Sequence, residues 1–406
     1  MRERSALEVL LIFLKLGLTS FGGPVAHLGY CREELVVRRR WIDDAAYSDL
    51  VALCQFLPGP ASSQVVFSLG LIRAGYPGAL AAWLGFTLPS AILMTAFAFG
   101  AGSLTGPLGN GLLHGLKLVA VAIVAQAVWG MARTLCPDRA RASIAALAAA
   151  LILWLSGSSI IQIVAILLGG LSGLWLCRTG SSVSTGTLGV PISRRVGIVS
   201  LLIFIGLLVG LPIVRAVTSY QGVALFDAFY RSGALVFGGG HVVLPLLRDA
   251  VVARGWVSDN AFLAGYGAAQ AVPGPLFTFA AYLGAVVKSP PNGILGATIG
   301  LVGIFLPGML ILLGTLPFWD RFRSRLGAQA AMRGINAAVV GLLGAALYNP
   351  LWTSSIHNAA DVCVALIEFV LLTALRSRPI IVVIIGALAG IAMSAFDLAG
   401  PIGHHQ

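Results

Sequence analysis

Charge is scarce in this chain. Asp, Glu, Lys and Arg make up only 10% of the 406 residues, against 58% hydrophobic ones, and that balance argues against a soluble globular protein. The five cysteines (Cys31, Cys54, Cys136, Cys177 and Cys363) form no CxxC pair and no His-rich cluster. Neither a disulfide framework nor a metal site is therefore expected. HExxH, GxSxG, GxGxxG and Walker motifs are all missing. No cofactor and no enzymatic activity are expected, since an intramembrane enzyme needs a nucleophile–base pair or a metal constellation. Acidic residues are fewer than basic ones, 15 against 26. The surplus suits loops that orient membrane spans and needs no nucleic-acid partner.

Long apolar runs are plentiful. Stretches 77–101, 111–132, 195–216, 292–317 and 329–348 are each long enough to span a bilayer. Shorter ones at 141–156, 160–177, 359–375 and 379–396 can cross inside a bundle. Arg2 and Arg4 ahead of the run from Ala6 to Phe21 imitate a signal peptide. The run recurs inside the chain at 225–237, so it belongs to the fold. The sequence predicts an all-α polytopic membrane protein.

One motif is stated twice. Phe21-Gly22-Gly23-Pro24 is followed by Trp41, Gln55 and Pro58-Gly59-Pro60. Phe237-Gly238-Gly239-Gly240 is followed by Trp256, Gln270 and Pro273-Gly274-Pro275. The spacing from Trp to Gln to turn is the same in both copies. Alignment also pairs Lys15 with Arg231, Leu88-Pro89 with Leu306-Pro307, and Gly115 with Gly334. Three units result: an N-terminal repeat over 1–178, a linker with one unpaired helix over 179–221, and a C-terminal repeat over 222–406.

Loop charges separate the halves. Loop 102–111 has no Lys or Arg, whereas its counterpart 318–333 carries Arg321, Arg323, Arg325 and Arg333. Loop 133–141 carries Arg133, Arg139 and Arg141, whereas its counterpart 349–360 has none. The positive-inside rule then sets the halves in opposite orientations, with helix 195–216 supplying the odd crossing. The motif segments 7–21, 24–37, 43–57 and 60–73 are short; the shorter ones reach only about 21 Å, less than the roughly 30 Å core. They fit re-entrant hairpins, giving about nine spans and four hairpins, with full crossing as the alternative. The N-terminus falls in the cytoplasm and the C-terminus in the periplasm. Arg215, Arg231, Arg248, Arg254 and Lys288 lie outside, and Lys15 and Lys117 lie within the membrane.

Helices broken at the FGG and PGP turns restart near the membrane centre, at Pro24, Pro60, Gly240 and Pro275. Each start carries roughly half a positive charge, so four converging ones sum to about +2 at most. Oxyanions are the natural guests of such a site, and a tetrahedral dianion matches it in sign and shape. The candidate binding residues are Gly22, Gly23, Pro24, His27, Gln55, Pro58, Gly59, Pro60, Ser62, Ser63 and Gln64 in the first half. In the second they are Gly238, Gly239, Gly240, His241, Gln270, Pro273, Gly274, Pro275 and Thr278. Lys15 and Arg231 stand six residues before their phenylalanines, about 9 Å along a helix. With Lys117 they are candidates for attracting the anion or gating its path. Glu368 is the one acid well inside a predicted span and has no counterpart in the first half.

The stretch SFGGPVAHLGYCREELVVRRRWIDDAAYSDLVALCQFLPGPASSQ resembles the first-half signature of the chromate transporter family. GALVFGGGHVVLPLLRDAVVARGWVSDNAFLAGYGAAQAVPGPLFTFAAYLGA resembles the second. The resemblance is to the long, two-domain members and covers essentially the whole chain. It implies export of chromate across the inner membrane, driven by the membrane potential or a proton gradient, by an antiporter or similar carrier. Sulfate is the rival cargo, a channel or intramembrane enzyme the rival class, and a homodimer in the lipid bilayer a further expectation.

Overall fold

Helix starts follow capping residues. Ser5 caps α1 (Ala6–Thr19) by accepting the Leu7 N–H. Asp43 caps α3 (Asp44–Phe56) through Ala46 N–H, and Ser258, at the aligned position, caps α11 (Asp259–Ala271) through Ala261 N–H. Asp138 and Asn358 do the same for α6 (Arg139–Trp154) and α15 (Ala359–Thr373). Each side-chain oxygen satisfies an amide that a helix start leaves unpaired.

The computed structural model describes residues 5–20, 23–101, 107–155, 159–178, 192–237, 242–319, 325–377 and 379–399. All regular structure among them is helical. The remaining helices are α2 (Gly23–Cys31), α4 (Ala61–Ala101), α5 (Pro107–Leu135), α7 (Ser159–Leu176), α8 (Arg194–Val217), α9 (Gln221–Leu235), α10 (Val243–Val251), α12 (Phe279–Val286), α13 (Gly293–Thr315), α14 (Leu326–Ala346) and α16 (Pro379–Ala399). Five helical stretches are long and apolar enough to cross a membrane: Ala61–Gly100, Leu108–Leu135, Arg194–Val217, Gly293–Phe318 and Leu326–Ser355. They coincide with the five long apolar runs, and the protein is an all-α polytopic membrane protein.

The motif helices are short. At 14 and 13 residues, α1 and α3 reach only about 20 Å each. Inside α4 the backbone leaves helical geometry at Ala74 and Gly75, where Gly75 has φ +66°. The segment after the first PGP turn is thereby separated from the span that follows it. In the second half that segment starts differently: Leu276–Thr278 form a 3-10 turn before α12. There Thr278 donates both its N–H and its hydroxyl to Pro275 O, at 3.0 and 2.8 Å, which tightens the first turn.

Elements of the two halves interleave. Within each half the first helix packs on the span after the PGP turn, α1 on α4 and α9 on α13. The last helices cross over: α6 and α7 pack on α14, while α15 and α16 pack on α5. Small residues make these crossings close. A Cβ on Gly115 would strike the Gly386 carbonyl, and one on Gly334 would strike the Gly169 carbonyl. Helix α8 sits at the edge, with Leu202, Ile205, Val209 and Ile213 exposed and its inner face against α9 and α13.

Candidate functional site

The two PGP turns exchange partners across the halves. Gly59 N–H donates to Val236 O at 2.7 Å, and Gly274 N–H donates to Ser20 O at 2.9 Å. Ser20 and Val236 are aligned positions, each ending the helix that precedes its glycine motif. Each turn also lies against the opposite half just after its Leu-Pro pair. A Cβ on Gly59 would come within 2.8 Å of Gly308 Cα, and one on Gly274 within 2.9 Å of Ser90 Oγ. Both glycines have positive φ, +117° and +100°, so only glycine holds the turn and permits the approach. Gln64 fastens the first turn, its Nε2 donating to Pro58 O and Gly308 O, both at 2.9 Å.

These turn amides are thus committed to protein carbonyls. The PGP glycines make room for the facing half, whereas the sequence had them open to the anion. Gly23 behaves differently: with φ +77°, a Cβ there would meet nothing within 4 Å, so open space adjoins the start of α2.

Polar atoms gather around the exchanged turns. Pro58, Gly59, Pro60, Ser62, Ser63, Gln64, Pro273, Pro275 and Thr278 are buried, with Gly274 half-buried. Among the described residues, Ser20 Oγ, Ser63 Oγ, Gln64 Oε1, Thr87 Oγ1 and Gln270 Nε2 are buried with no hydrogen-bond partner. Orphaned groups are costly in a nonpolar interior, and those beside the turns are free to engage something polar, as are Trp83 Nε1, Asn336 Oδ1, Ser355 Oγ and both Glu368 oxygens elsewhere in the bundle. The first helical turn of α4 adds amides that have no intrahelical acceptor, at Ala61, Ser62 and Ser63. Gln64 N–H, by contrast, returns to Pro60 O at 2.9 Å.

The remaining candidates divide. His27 is buried edge-on to Phe86, with ring centroids 5.2 Å apart, and the Ser20 backbone is its polar neighbour. Pro24, beside Gly23, is half-buried near the start of α2. Gln55 is exposed, whereas its counterpart Gln270 is half-buried against the Tyr266 side chain. Gly22, Gly238, Gly239, Gly240 and His241 lie outside the described residues.

The three candidate cations do not converge. Arg231 donates to Asp227 Oδ1 at 2.7 Å and to Leu208 O at 3.0 Å, and Arg215 approaches the other Asp227 oxygen at 3.5 Å. Arg231 therefore clamps α8 onto α9. Lys117 donates to Asn260 Oδ1 across the halves at 2.7 Å. Lys15 is exposed on α1 and has no ion pair among the described residues. Glu368 is fully buried beside Gly386 of α16 and Val119 of α5.

Each motif tryptophan lies under an arginine. Arg73 lies over the Trp41 ring and Arg254 over the Trp256 ring, each 5.0 Å from the centroid. Sequence reasoning missed Ser20, Val236, Ser90, Gly308, Tyr266 and Asp227. The first four were within reach: the turns' partners lie just before the glycine motifs and just after the aligned Leu-Pro pairs.

Short helices broken in two copies, with their turns interlocked around orphaned polar groups, are the build of a membrane transport protein. The chain belongs to the chromate transporter family, whose signature matches residues 7–174 and again 223–391. It is 31% identical over 349 residues to the chromate transport protein of Pseudomonas aeruginosa, covering 82% of this chain and 78% of that one. It is 26% identical over 404 residues to the probable chromate transport protein of Synechococcus elongatus, covering 93% of each. Identity to the chromate transport protein of Cupriavidus metallidurans is 25% over 420 residues, 98% of this chain and 94% of that one. No solved structure matches the chain.

Proposed function

We propose that this protein exports chromate across the cytoplasmic membrane by alternating access, holding the dianion where the interlocked turns of the two halves meet. The observation that carries this is the reciprocal pair Gly59–Val236 and Gly274–Ser20, surrounded by buried polar atoms that the protein leaves unpaired. A tetrahedral oxyanion accepts hydrogen bonds on four oxygens, which Ser63, Gln270 and the first amides of α4 can donate. Family membership supplies the cargo.

The halves run in opposite directions through the membrane, with the N-terminus cytoplasmic and the C-terminus periplasmic. Two contacts support this topology. Arg333, near the start of α14 in the second half, lines one cavity of about 430 Å³ with Arg139 and Arg141 of the first. At the far end of α5, His114 meets Asp361, which follows the uncharged loop of the second half. Inverted repeats require basic residues of both halves to gather at one end of the bundle, and Arg139, Arg141 and Arg333 do so. Motif helices of about 20 Å then enter as hairpins, and rocking of one half against the other breaks or remakes the exchanged hydrogen bonds.

Chromate uptake into inverted vesicles tests the proposal. Uptake against a gradient, abolished by an uncoupler, is the expected result. Uptake that only equilibrates and ignores the uncoupler contradicts it and indicates a channel. Sulfate matches chromate in shape and charge, and sulfate competition at equal concentration would make the protein a general oxyanion carrier.

A further inference from the structure

Three metal-ligating side chains that are far apart in the sequence meet at the end of α5 opposite the basic cavity. His114, on the second turn of α5, places Nε2 2.7 Å from Asp361 Oδ1 on α15. His357, in the loop before α15, lies with Nδ1 3.8 Å from Asp361 Oδ2. The imidazole rings are 5.8 Å apart, and one ligand atom from each residue falls within 4.8 Å of the others.

The Asp361 carboxylate is already oriented. Its Oδ2 accepts N–H from His357 and Asn358 at 2.8 and 3.3 Å, while Asn358 Oδ1 accepts the Asp361 N–H at 2.9 Å. These bonds fix the second oxygen and leave Oδ1 aimed at His114. Outer-shell hydrogen bonds of this kind hold ligating carboxylates in metal sites. The His357 side chain is 60% exposed, so its ring can turn toward a common centre.

We propose that His114, His357 and Asp361 bind one divalent first-row transition ion, such as Zn²⁺, in a site that joins the two halves. Two imidazoles and one carboxylate suit zinc and its neighbours, with water completing a four-coordinate shell. Bonds of about 2 Å at tetrahedral angles put ligand atoms about 3.3 Å apart. The Nε2–Oδ1 pair, now at 2.7 Å, needs to open by about 0.6 Å, and His357 to swing inward by up to about 1.5 Å from the present 4.8 Å limit. Because α5 belongs to the first half and α15 to the second, the ion would pin their relative position on this face.

The test uses the full-length, untagged protein in detergent, with His404→Ala and His405→Ala so that the C-terminal pair cannot chelate. Zn²⁺ binding is measured by calorimetry, and Co²⁺ absorption reports the coordination geometry. One saturable ion per chain is expected, with tetrahedral Co²⁺ bands. Affinity should fall by at least about 10–100-fold in His357→Ala, the range lost on removing even an outer partner of a ligand. Being exposed, His357 can be replaced without disturbing the fold, and His114→Ala should act in the same direction. No saturable binding, or binding that survives either substitution unchanged, overturns the proposal.

Discussion

Replacing Gly59 by alanine probes the interlock at its tightest point. The new methyl would lie 2.8 Å from Gly308 Cα and 3.0 Å from Gln64 Nε2. Gln64 can yield, but Gly308 is backbone and would have to move α13. The φ of +117° adds strain of about 1–3 kcal/mol for any residue with a Cβ. Overpacking adds about 1–3 kcal/mol more. The sum is about 2–6 kcal/mol, enough to unfold a marginal fraction or to displace the turn and break the Gly59–Val236 bond. Gly75→Ala is the matched control. Its φ is also positive, but a Cβ there meets only Pro77 Cδ at 3.9 Å, so it should lose about 1–3 kcal/mol from strain alone. Thermal unfolding followed by tryptophan fluorescence, with chromate uptake alongside, gives the comparison. If Gly59→Ala is no less stable than Gly75→Ala and transports normally, the interlock is not what holds the halves together.

Other consequences concern the charged groups. Lys15→Ala should slow vesicle uptake of chromate more than Arg231→Ala, because Arg231 is neutralised by Asp227 and Lys15 has no ion pair among the described residues; equal losses would contradict this. Asp227→Asn leaves Arg231 and Arg215, both partly exposed, without their shared carboxylate and should lower stability by about 1.5–3 kcal/mol, the worth of a hydrogen bond to a charged group, measurable as a drop in melting temperature. Outside the membrane, Asp138 caps α6, and the Arg141 N–H holds its carboxyl below the usual carboxylate range, with the Arg141 side chain assisting. A lowered pKa stabilises above the unfolded value and fades as pH falls through the folded one. Asp138→Ala should therefore cost about 0.5–2 kcal/mol at neutral pH, with the gap to wild type closing below the usual carboxylate range.

Much of the scaffold was legible in the sequence because bilayer physics is coarse. Five runs had the length and apolarity of spans, and five helical stretches of that kind are present. Pro24 and Pro60 lie within a residue of the observed starts of α2 and α4, whereas α10 begins at Val243, three residues after the expected Gly240, and the second PGP turn opens into a 3-10 turn in which Thr278 donates to Pro275 O. The site was less legible. Spacing placed Gly59 and Gly274 correctly on turns but could not show that their amides serve the other half. Nor could it show that Arg231 faces Asp227, one helical turn earlier in the chain, and the α8 backbone. An i, i+4 acid is visible in the sequence, but which way a helix face points is decided by packing. The His114–Asp361 contact was out of reach for the same reason: 247 residues separate its partners.

Equilibrium binding of radiolabelled chromate to the purified protein, wild type against Ser63→Ala, bears most directly on the central claim. Ser63 Oγ is buried without a partner in the first turn of α4, so its removal disturbs no protein hydrogen bond. If the dianion sits at the interlocked turns, losing one hydrogen bond to a charged ligand, about 1.5–3 kcal/mol, should weaken binding roughly tenfold or more. Unchanged chromate affinity in Ser63→Ala would place the anion elsewhere.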